Sequence, residues 1–138
     1  MTRRWSPKSA RRLSTCTADV QWLMTEVRDN VADISILEGH RGKYRQNKAF
    51  AENKSKVRWP NGKHNRKPSQ AVDFQPHPVP QREVELWAAL AYIAGRAIEI
   101  GKQAGLTVRW GGDWDRDGDL TDNDFDDLYH LEVSRDGP

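Results

Sequence analysis

Two histidines and two aspartates, His64, Asp73, Asp127 and His130, have the chemistry of a single metal site. Two imidazoles and one carboxylate give zinc three ligands and leave a fourth position for water. The spare carboxylate, Asp127, lies in Asp127-Leu128-Tyr129-His130-Leu131-Glu132-Val133, close enough to His130 to activate that water as a base. This is the arrangement a hydrolase requires. Strand alternation puts His130 and Glu132 on one face, where Glu132 can accept the free N–H of a ligand imidazole.

A second constellation follows Trp110. The run Asp113-Trp114-Asp115-Arg116-Asp117-Gly118-Asp119-Leu120-Thr121-Asp122-Asn123-Asp124 matches the pattern of an EF-hand loop, with acids, a glycine, an aliphatic residue and a final acid in the expected places. Asp113, Asp115, Asp117, Asp119 and Asp124 are its oxygen donors, and calcium is the hard cation they suit. The last donor is Asp rather than Glu, which reaches less far, and the flanks do not read as two helices. The alternative is a solvated acidic turn whose carboxylates satisfy backbone N–H groups.

The elements that must position these residues follow from periodicity. Leu13, Cys16, Val20, Leu23, Met24 and Val27 predict an amphipathic helix over 9–30, with Cys16 as a small core residue on it. Ile34–Leu37 is a short strand closed by Glu38-Gly39. A short polar helix spans 44–53, and residues 54–69, with Pro60, Gly62 and Pro68, form a long loop. Ala71–Phe74 is a strand that places Asp73 on a rigid element. Pro80 opens the longest helix, which runs to Gln103 with Val84, Trp87, Ala88, Leu90, Ala91, Ala94, Ile98 and Ile100 on its buried face. Strands over 106–110 and 129–133 flank the Asp-rich loop. The fold class is α+β, a small, mainly antiparallel sheet with flanking helices. Residues 1–8 are a basic arm, 9–133 the catalytic domain and 134–138 a tail.

Bulk properties agree with one soluble domain of 138 residues, net charge +2 and 30% charged residues. Mean hydropathy is −0.89. Six tryptophans and two apolar-periodic segments need a core, which excludes a disordered chain. One cysteine excludes an internal disulfide. Residues 1–12 lack an apolar signal-peptide region, and the stretch 86–100 is broken by Arg96 and Glu99, so neither export by a leader nor membrane insertion is expected. Charge is segregated: His40–Lys67 holds ten Lys or Arg against Glu52, and Asp113–Asp127 holds eight Asp against Arg116. These are two solvated loops of opposite sign, or sites for an anionic polymer and a cation.

On these residues the chain resembles the M15 metallopeptidases, the D,D-carboxypeptidases of the VanY and VanX type and the phage L-alanyl-D-glutamate endolysins. That family carries Ser-x-His-x-x-Gly-x-Ala-x-Asp and a later His preceded at three residues by Asp or Glu. His64, Ala71 and Asp73, then Asp127 and His130, are the matching positions. Trp110-Gly111-Gly112-Asp113-Trp114 and Glu38-Gly39-His40-Arg41 are similar to phage members, and the likeness runs from about Ser9 to Val133. It implies a hedgehog/D,D-peptidase-like fold, zinc on His64, Asp73 and His130, and Asp127 as general base. It further implies Arg41 as the group that holds a substrate carbonyl or carboxylate and stabilises the oxyanion. The chain departs from the motif in spacing, with two extra residues between His64 and Asp73. It also has Gly62 in place of the motif Ser, and it lacks the motif Gly.

The expected function is that of a phage endolysin: a zinc peptidase, monomeric, cutting the L-alanyl-D-glutamate bond of bacterial peptidoglycan. It would be made in the host cytoplasm and reach the wall after release by another protein such as a holin. Terminal D-Ala trimming by a D-alanyl-D-alanine carboxypeptidase is the alternative within the family. A non-catalytic calcium-binding, dockerin-like module leaves the histidines idle and predicts duplicated Asp loops. A nucleic-acid binder lacks a recognised motif at a pI of about 8.8. A zinc-binding relative without activity has no need to keep Asp127.

Overall fold

The computed structural model describes residues 4–123 and 125–135. The chain runs α1 (Pro7–Leu13), α2 (Ala18–Asn30), β1 (Ile34–Glu38), α3 (Lys43–Ala51), a 3-10 turn (Lys63–Asn65), β2 (Ala71–Pro76), α4 (Glu83–Gln103), β3 (Thr107–Gly111) and β4 (Asp127–Ser134). The strands form one sheet in the order β1-β2-β4-β3, and every pairing is antiparallel. This is the α+β class expected.

One sheet face is apolar. Val72 and Phe74 of β2 and Leu131 and Val133 of β4 pack with Leu23, Met24 and Val27 of α2 and with Leu90, Ile93, Ala94 and Ala97 of α4. The alternate residues, Asp73, His130 and Glu132, are carried on the other face. Nineteen buried residues make this core, so the sheet is a rigid support for the polar face.

Several sequence expectations are corrected. The helix over 9–30 is two helices. Ser14 and Thr15 turn their hydroxyls back onto the carbonyls of Arg11 and Arg12, which competes with the helical ladder. Thr17 then caps α2 by accepting from Val20 N–H at 3.2 Å. Cys16 therefore sits between the helices, buried, with its sulfur 3.8 Å from the Ala71 carbonyl. Helix α4 starts at Glu83, capped at Arg82, and Glu83 and Glu85 suit its positive end. Its buried face begins only at Leu90, so Val84, Trp87 and Ala88 are exposed. Of the tryptophans, only Trp110 among the described residues is fully buried; Trp22, Trp59 and Trp87 are exposed. Within the span expected as an arm, Pro7 begins α1 and Trp5 stacks on Arg28 at 4.6 Å. Ser134, expected in the tail, ends β4.

Candidate active site

His64, Asp73 and His130 come from three separate segments and converge. His64 Nε2 lies 3.2 Å from Asp73 Oδ1 and 3.1 Å from His130 Nδ1, and His130 Nδ1 lies 3.3 Å from Asp73 Oδ1. Asp73 and His130 are cross-strand partners in the β2–β4 register. His64 is brought to them by the exit of β1. The Gly39 carbonyl accepts from His64 Nδ1 at 2.7 Å, the Arg41 N–H donates to the His64 carbonyl at 2.8 Å, and Asn65 Nδ2 donates to the Arg41 carbonyl at 2.9 Å. A Cβ on Gly39 would collide with the Thr15 hydroxyl and the Arg12 carbonyl, so this close passage requires glycine. Between His64 and Asp73 the chain bends at 66–68, and Ser69 is pinned by its N–H to the Thr15 carbonyl at 2.9 Å.

The imidazole protons are committed outside the cluster. His64 uses its Nδ1–H on a carbonyl, and His130 uses its Nε2–H on Glu132 Oε2 at 2.9 Å. In those neutral tautomers His64 Nε2 and His130 Nδ1 are lone pairs facing each other and an aspartate oxygen. Three acceptors this close repel unless a positive charge, a metal ion or the proton of a charged His130, lies among them. Donors around a tetrahedral ion with bonds of about 2.0 Å stand about 3.3 Å apart, so the triangle fits a metal ion, and the three residues form a group able to hold one. The same field governs protonation. Burial opposes charge on His130, but hydrogen bonds to Asp73 and Glu132 push it up to about 10. Burial also opposes ionised Asp73, yet His64 and then His130 hold it well below the usual carboxylate range.

Glu132 is itself oriented. Arg109 donates to its Oε1 from Nη2 at 2.7 Å and from Nε at 3.1 Å. Burial would raise Glu132, but the His130 hydrogen bond and Arg109 outweigh it and lower its pKa. Trp114 stands 5.4 Å from the His130 ring, with the Arg109 guanidinium 5.2 Å from its own ring centre.

Arg41 is tied down on three sides. It pairs with Glu38 through Nε (3.0 Å) and Nη2 (3.1 Å), donates from Nη1 to Gln46 Oε1 at 3.1 Å, and lies 3.5 Å from Asp73 Oδ2. A bulge between Ile36 and Glu38 sets Glu38 opposite Asp73, and Arg41 balances both carboxylates. One Nη1 hydrogen is left without a partner among the described residues.

Asp127 and His130 are three residues apart, and a regular strand would turn them to opposite faces. The β3–β4 register resolves this. Trp110 pairs with Leu131, but Gly111 pairs with Asp127, so residues 128–130 of β4 stand outside the β3–β4 ladder. The Trp110 indole fills the bulge by donating to the Leu128 carbonyl at 2.8 Å. Asp127 and His130 then border one groove. Burial, and secondarily the charge of Asp73, raises Asp127 above its ordinary value.

The family model for phage L-alanyl-D-glutamate peptidase matches residues 1–133. The chain belongs to this family. It is accordingly a peptidoglycan peptidase. The crystal structure of the Serratia marcescens L-Ala D-Glu endopeptidase ChiX shares its fold, with a TM-score of 0.71 at 22% identity over 96% of this chain and 91% of that one. No curated protein matches the chain.

In the peptidase, two grooves meet at the site. Arg41, Lys54, Phe125 and Asp127 border both. The Asp loop adjoins the smaller groove. Asp113, Asp115 and Asp117 bring their carboxylates together. Asp113 Oδ1 is buried without a partner among the described residues. Asp122, which the EF-hand pattern does not use, shares a hydrogen bond with Asp117 that pushes it up to about 6. Asp119 instead accepts from the Thr121 N–H and hydroxyl, and Asp124 lies outside the described residues.

Sequence reasoning missed Gln46. It is 1% exposed on a helix that reads as polar. It bonds Arg41, Asn65, Ser55 and the Val57 carbonyl, tying the basic loop to the site. Nothing in the local sequence marks it, because the burial comes from a loop folding over it.

Proposed function

We propose that the peptidase is a zinc enzyme of a phage endolysin that hydrolyses the L-alanyl-D-glutamate bond within peptidoglycan stem peptides. The observation that carries the metal is the triangle of His64 Nε2, Asp73 Oδ1 and His130 Nδ1, with edges of 3.1 to 3.3 Å. Two imidazoles and a carboxylate suit zinc, and both imidazoles donate their other N–H to an oriented acceptor. Bound zinc supplies a Lewis acid that polarises the scissile carbonyl and lowers the pKa of water towards about 7.

The remaining work falls to side chains. Asp127, raised by burial, takes the proton of the attacking water and delivers it to the leaving amine. Arg41, fixed by Glu38, offers its free Nη1–H to the developing oxyanion. Glu132 holds His130 in the ligand tautomer. An internal bond is favoured over a terminal D-Ala because the Arg41–Asp127 centre is open to a groove on each side. A carboxypeptidase needs one side closed.

Calcium in the Asp loop is the second cofactor in this reading. The convergence of Asp113, Asp115 and Asp117 and the unpaired Asp113 Oδ1 support it, with Asp119 and Asp124 as the further donors the loop pattern assigns. All the groups come from one chain, so a monomer suffices. Among the described residues no helix is long and apolar enough to cross a membrane. In this reading the enzyme is made in the host cytoplasm and meets the wall after release. The test is metal stripping. Chelated protein should lose hydrolysis of a peptide containing L-Ala–D-Glu and regain it with about one equivalent of zinc. Full activity in verified metal-free protein would refute the reading.

A further inference from the structure

The two grooves that meet at Arg41 and Asp127 differ in chemistry. The smaller, about 470 Å³, passes His64 and His130 and is edged by Lys56 and Lys63. Neither lysine has a carboxylate partner among the described residues. The Lys56 ammonium lies 5.4 Å from the Phe125 ring centre, which fixes it at the groove wall. The larger groove, about 880 Å³, is walled by Tyr44 of α3, Trp87 of α4, and Leu128 and Tyr129 of β4. Tyr44 is 77% and Trp87 48% exposed. Two large aromatics from separate helices, both exposed beside a reaction centre, have no packing role that accounts for them. Both signs of charge border this groove: Glu38, Glu52 and Asp126 stand with Arg45, Lys48 and Lys54, and Arg45 pairs with Glu38 and Lys54 with Glu52.

The substrate is polar in the same sense. On the amino side of an L-Ala–D-Glu bond, alanine is joined to the lactyl group of an amino sugar, whose ring offers C–H faces that stack on aromatic rings. On the carboxyl side, γ-linked D-glutamate leaves a free α-carboxylate, and further carboxylates follow. Resting on the endopeptidase reading above, we propose that the aromatic groove is a subsite for the sugar, gripped by Tyr44 and Trp87. The lysine-edged groove then receives the α-carboxylate of D-glutamate between Lys56 and Lys63. The aromatics and the lysines set the direction: the opposite orientation leaves Lys56 and Lys63 without an anion and takes the sugar away from Tyr44 and Trp87, while the larger groove offers a carboxylate one lysine without a carboxylate partner among the described residues, Lys48. Asp115, Asp122, Asp127 and Glu132 also border the lysine-edged groove; Glu132 is paired with Arg109 and His130, and the first two belong to the Asp loop, where a bound cation would neutralise them.

The test compares four soluble substrates: the muramyl stem peptide, the same peptide N-acetylated in place of the sugar, and each of these with the D-glutamate α-carboxyl amidated. Specificity ratios of kcat/KM are read for wild type, for a Tyr44→Ala/Trp87→Ala variant and for a Lys56→Ala/Lys63→Ala variant. All four side chains are at the surface of a groove, so circular dichroism should be unchanged. The aromatic variant should lose about tenfold in the ratio of muramyl to sugar-free peptide and keep its ratio of free to amidated carboxyl. The lysine variant should show the reverse, with its effect fading at high salt. Unmoved ratios, or a lysine variant that alters sugar preference, would overturn the assignment. If wild type cuts none of the four at L-Ala–D-Glu, the underlying function fails. If wild type cuts there and the ratios stay fixed, only the subsite assignment fails.

Discussion

Asp73 and His130 face each other directly across the β2–β4 pairing, and that register alone brings Asp73 Oδ1 to 3.3 Å from His130 Nδ1. Asp73 is thus both a sheet residue and the only carboxylate in the triangle. Asp73→Asn keeps the strand and removes the charge. The purified variant should retain about a tenth or less of the wild-type metal by atomic emission, and its activity should fall with the metal. Wild-type metal content in this variant would remove Asp73 from the ligand set.

Asp127 is assigned to proton transfer and not to metal binding. Asp127→Ala should lower kcat by roughly 10²–10⁴ with metal content intact, whereas His130→Ala should lose both. Near-normal kcat in Asp127→Ala would move the base to Asp126 or Glu132.

Gly111 governs where Asp127 stands. A Cβ at Gly111 would overlap the Asp127 carbonyl, so Gly111→Ala must push the start of β4 away. We expect a stability loss of about 1–3 kcal/mol in urea melts and a fall in kcat larger than the change in KM, with metal retained. An unchanged kcat would mean that Asp127 needs no such positioning.

Cys16 is a buried thiol with no chemical role. Burial pushes it from 9.0 up to about 11. The unfolded thiol ionises at its ordinary value, so the native state binds the extra proton and loses stability as pH rises from 9 to about 11, with no effect below that window. Native protein at about pH 8 should resist iodoacetamide, while the denatured protein reacts. The urea midpoint should drop more across that window in wild type than in Cys16→Ala. Fast labelling of native protein would contradict this burial.

The calcium reading predicts that millimolar calcium raises the melting temperature and that an Asp113→Asn/Asp117→Asn variant abolishes the rise. Trp114 links the loop to the site, since its indole donates to the Phe125 carbonyl at 2.6 Å while its ring meets His130. Loss of calcium should therefore also lower activity in zinc-loaded enzyme. A melting temperature and an activity indifferent to calcium would leave the loop as an acidic turn.

Residue chemistry and strand alternation made the His64–Asp73–His130 cluster and Glu132 legible, because their types are few and β4 keeps its period through Val133. Asp127 was legible only by motif, since simple alternation points it away from His130. The bulge that corrects this arises from Trp110 and Gly111 packing, a tertiary event with no local period. The break at Ser14–Thr17 was hidden because the apolar spacing continues across it, and only hydroxyls bonding back to carbonyls interrupt the helix. The exposure of Trp87 was equally hidden: helical period identifies a face but not where along α4 the core begins.

The most direct test of the account is the mass analysis of fragments released from purified, sugar-intact peptidoglycan, with and without a zinc chelator. The account predicts chelator-sensitive release of peptides with a new N-terminal D-Glu. Release of D-Ala alone, or no cleavage by protein with zinc confirmed in place, would contradict it.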